Sequence, residues 1–273
     1  MSEQQLEQLQ EEEEQQLKRK RISYSELKIW EECSFRHKLQ YIDGLATFTG
    51  NEYTAFGTAL HKTCEEVVVD SQQDGFSIFK QSFASQIKKL NNTLQLNKKL
   101  VVEMVDQSKP IIENILPALQ SHFGNYSVVS IEEQLFEDIN DFETDMKFKG
   151  FIDLVIKTED GQYHIIDWKT CSWGWKAEKK SQPMTVYQLS LYKKFFSEKH
   201  EIDPNKIETH FALLKRTAKK NNVEIFKVSN KSRRIANAIS LLQKAISNIN
   251  SKNFVKNRLS CNYCEFKNTP HCP

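Results

Sequence analysis

Two short runs rich in β-branched and aromatic residues, FIDLVI (151–156) and YHIIDWK (163–169), flank TEDGQ, whose Asp-Gly pair is a turn signal. They predict a β-hairpin over Lys149–Lys169, with SVVSIEEQLFEDI and DMKFKGFIDLVI as successive strands leading into it. A second strand pair, ETHFALLKR and VEIFKVS, is predicted across TAKKNN. Helical spacing of apolar positions appears in four places. The first runs through LKIWEECSFRHKLQYIDGL, with Leu27, Trp30, Phe35 and Leu39 apolar, Ser23 or Ser25 as cap, and Gly44 near the end. The others are TAFGTALHKTCEEVVVD, MTVYQLSLYKKFFSEKH and IANAISLLQKAISNI. Residues from about 70 to 124 read as a helical insertion, interrupted at Pro110 and Pro117, that could cover a site. Strands mixed with helices make this an α/β chain. With no internal repeat and no linker composition after residue 22, one domain is the simpler expectation.

Residues 1–21 break the pattern. MSEQQLEQLQEEEEQQLKRKR is Gln/Glu-rich and too poor in large apolar residues to offset its ordering entropy, so a disordered acidic tail is expected. The 273-residue chain has a net charge of +2, but removing that acidic block leaves a basic body. Lysines and arginines gather at Lys176/Lys179/Lys180, Lys193/Lys194, Lys215/Arg216/Lys219/Lys220 and Lys231/Arg233/Arg234, which suits a polyanionic partner. The loop TCSWGWKAEKK adds two tryptophans, stacking faces for bases among cations for phosphates. No apolar run approaches the length of a membrane span and no signal peptide opens the chain, so a cytoplasmic setting without membrane contact is expected.

The hairpin holds the candidate chemistry. Alternation along a strand sends Asp167 and Lys169 to one face and Trp168 to the other. A carboxylate and an ammonium in an otherwise apolar strand are costly to bury unless partnered. A second carboxylate, Asp153, comes from the neighbouring strand. Two facing carboxylates repel each other and attract a divalent cation such as Mg²⁺ or Mn²⁺, and a lysine beside them supplies a point charge for water or a phosphate oxygen. Upstream, His61 and Glu65 are four apart on one helix face, and Gly57 permits close approach near the helix start. Downstream, Gln188 and Tyr192 share a helix face. Each feature alone is as consistent with a surface ion pair or an ordinary core residue.

Six cysteines without a secretory signal favour metal or redox use over disulfides. The tail has the spacing Cys261-x₂-Cys264-x₇-Cys272, and Cys33 is the best remaining fourth donor, since Cys64 and Cys171 lie beside the candidate catalytic residues. Zinc and an iron–sulfur cluster both fit four thiolates, and spacing alone puts zinc slightly ahead. Such a centre would tie the first ordered helix to the C-terminus.

Taken in order, Gly57–His61, Gly150–Asp153, Asp167–Lys169 and Gln188–Tyr192, flanked by Cys33 and the tail cysteines, resemble the motifs of the PD-(D/E)XK nuclease superfamily over about residues 22–273. The RecB-like branch is most similar, in particular members with C-terminal iron–sulfur cysteines such as the CRISPR-associated four-cysteine exonucleases and AddB-type nucleases. The resemblance implies a restriction-endonuclease-like core, a central mixed β-sheet flanked by helices, and hydrolysis of DNA, single- or double-stranded, with Mg²⁺ or Mn²⁺. It also implies a [4Fe–4S] cluster on Cys33, Cys261, Cys264 and Cys272 in preference to structural Zn²⁺. By the same resemblance His61, Asp153 and Asp167 bind the catalytic metal with the Trp168 carbonyl, Lys169 positions and activates the attacking water, and Gln188 and Tyr192 contact DNA. It leaves room for a helicase or recombination partner and for a role in recombination or repair.

Three departures stand out. Ile152 occupies the position of the superfamily's proline, Asp167 stands in for the commoner glutamate, and the long gap before Cys272 makes His271 an alternative ligand. Glu65 is a secondary candidate, as an auxiliary carboxylate. Two other classes compete with an exonuclease: a non-catalytic DNA-binding or assembly subunit that retains the fold, and a zinc-stabilised interaction protein.

Overall fold

The computed structural model describes residues 20–45, 50–91 and 95–273, so the expectation of a disordered tail over 1–21 falls almost wholly outside the described residues. Six strands are present among the described residues: β1 (Arg21–Ser23), β2 (Tyr126–Asp138), β3 (Lys147–Thr158), β4 (Tyr163–Cys171), β5 (Ile207–Lys215) and β6 (Val223–Val228). The helices are α1 (Tyr24–Glu32), α2 (Ser34–His37), α3 (Glu52–Val69), α4 (Gly75–Asn91), α5 (Lys98–Phe123), α6 (Ala177–Ser181), α7 (Pro183–Lys199) and α8 (Ser232–Asn250).

These elements fall into two compact units, and the chain crosses between them at positions without linker composition. One unit holds Thr49–Glu133 and Phe151–Lys231; the other holds the described residues within Met1–Phe48, with Gln134–Gly150 and Ser232–Pro273.

The first of these units is built on the predicted hairpin. β3 and β4 pair antiparallel, with Leu154 opposite Ile166 and Lys157 opposite Tyr163, around a turn where Gly161 takes a φ of 83°. β4 then pairs parallel with β5, from Tyr163 beside Ile207 to Cys171 beside Lys215, and β5 pairs antiparallel with β6. A parallel pair needs a crossover, and α7 supplies it between β4 and β5. The resulting sheet is mixed and flanked by helices, the architecture that the sequence resemblance implies. One sheet face presents Leu154, Ile156, Ile166, Trp168, Ala212 and Leu214 to α3, α4 and α5, where Phe56, Phe79, Phe83, Met104 and Ile111 complete a core. Fully burying aliphatic or aromatic side chains of this size contributes roughly 1.5–3 kcal/mol each.

The expected interruption of the 70–124 segment at its prolines is corrected by the structure. Pro110 and Pro117 both lie inside the single helix α5. The apolar stripe of Met104, Ile111, Ile115 and Leu119 is fully buried, and that packing outweighs the hydrogen bonds the prolines remove.

In the other unit, β1 pairs parallel with the first residues of β3, Ile22 beside Phe148. Ser23 caps α1, its hydroxyl accepting from the Glu26 N–H at 3.2 Å. The single helix expected through 27–45 is also corrected. It breaks at Cys33, whose backbone is extended (φ −165°, ψ 109°), then resumes as α2 and ends in a π-helical turn at Lys38–Ile42. The break is held by the C-terminal segment: the Ser34 hydroxyl accepts from the Val255 N–H at 2.8 Å, and the Asn257 side chain donates to the Glu32 carbonyl at 2.9 Å. Periodicity could not reveal a break fixed by residues more than 200 positions away.

Candidate active site

Asp153 comes from β3, Asp167 and Lys169 from β4, His61 from α3, and Gln188 and Tyr192 from α7. The helix that carries His61 begins with a capping box, Asn51 and Thr54 bonding each other's backbone N–H groups. Gly57 lets it lie close to β4: a Cβ there would come within 3.2 Å of Thr170 Oγ1. The close approach that Gly57 permits is thus made by the strand bearing Asp167 and Lys169.

The side chains converge. His61 Nδ1 lies 3.5 Å from Asp153 Oδ1, long for a hydrogen bond and close to the spacing of two ligands on one cation. Asp153 Oδ2 accepts from the Trp168 N–H at 2.7 Å, which ties the two strands' acids together through the backbone. Asp167 Oδ1 accepts from Gln188 Nε2 at 2.8 Å, and its Oδ2 is paired with Lys169 Nζ at 2.5 Å. Gln188 Nε2 also donates to the Tyr192 hydroxyl at 3.1 Å. Gln188 and Tyr192 therefore orient Asp167 within the protein, whatever else they touch. The Trp168 indole is buried in the core, so only its main chain belongs to the site.

The electrostatics are those of a crowded acidic pocket. Burial pushes the Asp167 carboxyl up to about 6, Lys169 opposing and Asp153 reinforcing. Burial disfavours charge on the His61 ring, but Asp153, as acceptor and as charge, and the charge of Asp167 outweigh it, holding the ring above the ordinary histidine value. The Tyr192 phenol is raised by burial and then by Asp167.

Sequence reasoning missed one member. Glu132, on β2, takes a φ of 49°, a conformation rare for glutamate, and this departure from regular strand geometry sets its carboxyl near Asp153, Glu65 and His61. Although the residue as a whole is exposed, desolvation followed by the charges of Asp153 and Glu65 pushes its carboxyl up to about 7. In the sequence Glu132 is half of an ordinary Glu-Glu pair, and nothing there marks a left-handed residue. The auxiliary carboxylate expected at Glu65 shares this corner of the site.

The basic clusters divide. Lys215 is buried and bonded to Glu224 at 2.9 Å, and Lys180 pairs with the same carboxylate. These two lysines are structural, contrary to the expectation that their clusters serve a polyanion; a buried ammonium needs the carboxylate. Lys176, Lys179, Lys219 and Lys220 remain exposed. Of the loop tryptophans, Trp173 is 77% exposed, whereas Trp175 packs edge-on against Phe211.

In the other unit all four expected cysteines, Cys33, Cys261, Cys264 and Cys272, line one cavity of about 230 Å³, and none is in a disulfide. Cys33 Sγ accepts from the N–H groups of Arg36 and Asn257, at 3.4 and 3.3 Å. His271 is not among the lining residues.

No helix among the described residues is long and apolar enough to cross a membrane. None of the curated proteins compared with this chain matches it. Among solved structures, a candidate exonuclease from Eubacterium rectale aligns with a TM-score of 0.58 and 12% identity, over 95% of this chain and 92% of that one. That likeness is one of fold. The crystal structure of SSO0001 aligns at a TM-score of 0.37 with 16% identity, over 85% of this chain and 91% of that one, too weak to carry an argument. The sequence model of the PD-(D/E)XK nuclease superfamily matches residues 21–272, nearly the whole chain and every residue of the converging site. With that match added to the meeting of two strand-borne acids, a lysine and a helix-borne histidine, the chain belongs to the PD-(D/E)XK nuclease superfamily.

Proposed function

We propose that this nuclease is a Mg²⁺- or Mn²⁺-dependent deoxyribonuclease acting from DNA ends, of the RecB-like branch. The observation that carries the reading is the convergence of His61, Asp153, Asp167 and Lys169 from one helix and two strands. The donor set suits a hard divalent cation: carboxylate oxygens of Asp153 and Asp167, the His61 imidazole, and by family resemblance the Trp168 carbonyl. When bound, such a cation lowers the pKa of a water and offsets charge on the phosphate.

The remaining chemistry belongs to the chain. The Lys169 ammonium, 31% exposed on its side chain, is anchored by Asp167 but open on its outer side to a water and a phosphate oxygen. It orients the attacking water and balances charge that develops on phosphorus. Gln188, fixed between Asp167 and Tyr192, keeps the Asp167 carboxylate from turning away. Exposed Trp173 and Lys176, with Lys179 lying over the Trp175 ring at 4.6 Å, supply a face for a DNA strand. Exonuclease action is the reading for this chain because its family resemblance lies with exonucleases; the structurally similar Eubacterium rectale protein is itself named as a candidate exonuclease.

We assign the cysteine cavity to a [4Fe–4S] cluster. Four free thiols on one cavity, with N–H groups aimed at Cys33 Sγ and Arg36, Lys256 and Arg258 around it to offset thiolate charge, fit such a group. It would join Cys33, at the break between α1 and α2, to the C-terminal turn.

End-labelled linear DNA, single- and double-stranded, with a closed circular control, tests the activity in Mn²⁺ or Mg²⁺. Linear DNA should be degraded and the circle spared. Lys169→Ala and Asp153→Ala should each lower the rate at least ~100-fold. Full activity in either variant, or no cleavage by the wild type with either metal, would remove the assignment.

A further inference from the structure

His164, Glu208 and His210 bring three side chains of metal-ligand type together on the face of the sheet opposite Asp167. His164 is three residues before Asp167 on β4, so alternation sends the two side chains to opposite faces. The parallel register sets Glu208 of β5 beside His164 and His210 beside Ile166. The end of α5 closes over them, with the Phe123 ring 4.9 Å from both imidazoles and the His122 ring 5.3 Å from His210. His164 and His210 are buried, and Glu208 is half-buried.

Three distances decide the reading. His164 Nδ1 and His210 Nε2 are 3.1 Å apart, and Glu208 Oε2 lies 3.7 Å from the first and 3.8 Å from the second. A triangle with those sides has a circumradius of about 2.1 Å, the length of a zinc bond to imidazole nitrogen or carboxylate oxygen. One point therefore lies at bonding distance from all three atoms. Glu208 is too far from either ring for a good hydrogen bond, so hydrogen bonding to the imidazoles does not explain its place.

The proton arrangement at His164 suits a cation. Thr158 Oγ1 has one hydrogen, directed to Asp160 Oδ1 at 2.5 Å, and so accepts from His164 Nε2 at 3.0 Å. That fixes the His164 proton on Nε2 and turns the Nδ1 lone pair toward His210. Imidazole ligands are held in this way, by a hydrogen bond on the nitrogen that does not bind. The other Glu208 oxygen is held by Lys227. His210 is 2% exposed, and its Nδ1 has no hydrogen-bond partner among the described residues.

The geometry points to a site for a zinc-class divalent cation on His164 Nδ1, His210 Nε2 and Glu208 Oε2, with a fourth position left to water on the half-buried side. It ties β4 to β5, and so braces the strand that carries Asp167 and Lys169. It does not depend on the nuclease reading. The competing arrangement is one proton shared between the two imidazoles, with no cation.

Full-length protein stripped by a chelator is titrated with Zn²⁺ by calorimetry and with Co²⁺ by absorption spectroscopy. Tetrahedral cobalt on nitrogen and oxygen gives visible d–d bands without the thiolate charge-transfer band that cysteine binding would show. Wild type and Asp153→Ala should both show the nitrogen/oxygen site. His210→Gln should abolish it, and Glu208→Gln and Thr158→Val should each weaken it ~10–100-fold. The last two positions are half-buried, so they decide the matter if His210→Gln fails to fold. Loss of the bands in Asp153→Ala, wild-type affinity in Glu208→Gln and Thr158→Val, or only thiolate-type cobalt spectra would overturn the site.

Discussion

Asp167 is 2% exposed, shares its site with Asp153 and is held by Lys169 and Gln188. At this scale function rests on side chains locked by other side chains. Gln188→Ala should leave folding nearly unchanged and lower cleavage about 10–100-fold, since it frees the Asp167 carboxylate without removing it. Steady-state kinetics alongside a denaturation curve separate the two effects. Glu224 gives the matching case for stability. Burial would raise its carboxyl, but hydrogen bonds from Lys180 and Lys215 hold it below the usual glutamate value. A depressed carboxyl contributes stability that is present above its unfolded pKa, about 4.3, and lost as pH falls through the folded value. Glu224→Gln, which leaves the buried Lys215 without its countercharge, should cost about 1–3 kcal/mol at pH 7. In urea titrations across pH, the gap to wild type should close below about pH 4.

At the level of elements, the site depends on how strands and helices begin, bend and break. The capping box at Asn51 fixes the start of α3 and hence the placement of His61 ten residues on. Asn51→Ala should lower stability by about 1 kcal/mol, measured by chemical denaturation. Activity should fall less than in His61→Ala, because the cap is remote from the chemistry. The left-handed Glu132 within β2 and the extended Cys33 between α1 and α2 are irregularities of the same kind. Each aims a chemically capable side chain out of a regular element. Periodicity reads regular elements well and their interruptions poorly, and here one interruption turns Glu132 toward the acidic site and the other sets Cys33 on the cysteine cavity.

Across the whole molecule, the division into two units separates two kinds of chemistry. The acidic site and the His164–Glu208–His210 group lie in one unit, and the four-cysteine cavity lies in the other. The cavity sets Cys33 beside a segment beginning at Cys261, so the proposed cluster would close a loop that encloses most of the chain. Protein purified without oxygen should be brown, with broad visible absorption. Cys264→Ala should bleach it and lower stability, while nuclease variants such as Lys169→Ala keep the colour. A colourless protein carrying stoichiometric zinc in the cysteine cavity would instead return the preference to the zinc reading.

Much of this was legible before any fold was known. The Asp-Gly turn, the Asp-x-Lys triplet, the helix-borne His61, the Gln188/Tyr192 pair and the Cys-x₂-Cys tail are local patterns, set by strand alternation, helical spacing and ligand spacing, and the chain alone determined them. What it left undecided is everything that needs residues distant in sequence to meet. Only the tertiary structure broke a helix at Cys33, kept α5 whole through two prolines, turned Glu132 toward Asp153 and gave Lys180 and Lys215 to Glu224. The histidine–glutamate group is the clearest case. His164 and His210 are 46 residues apart and match no spacing rule, and a parallel strand pairing alone brings them within 3.1 Å.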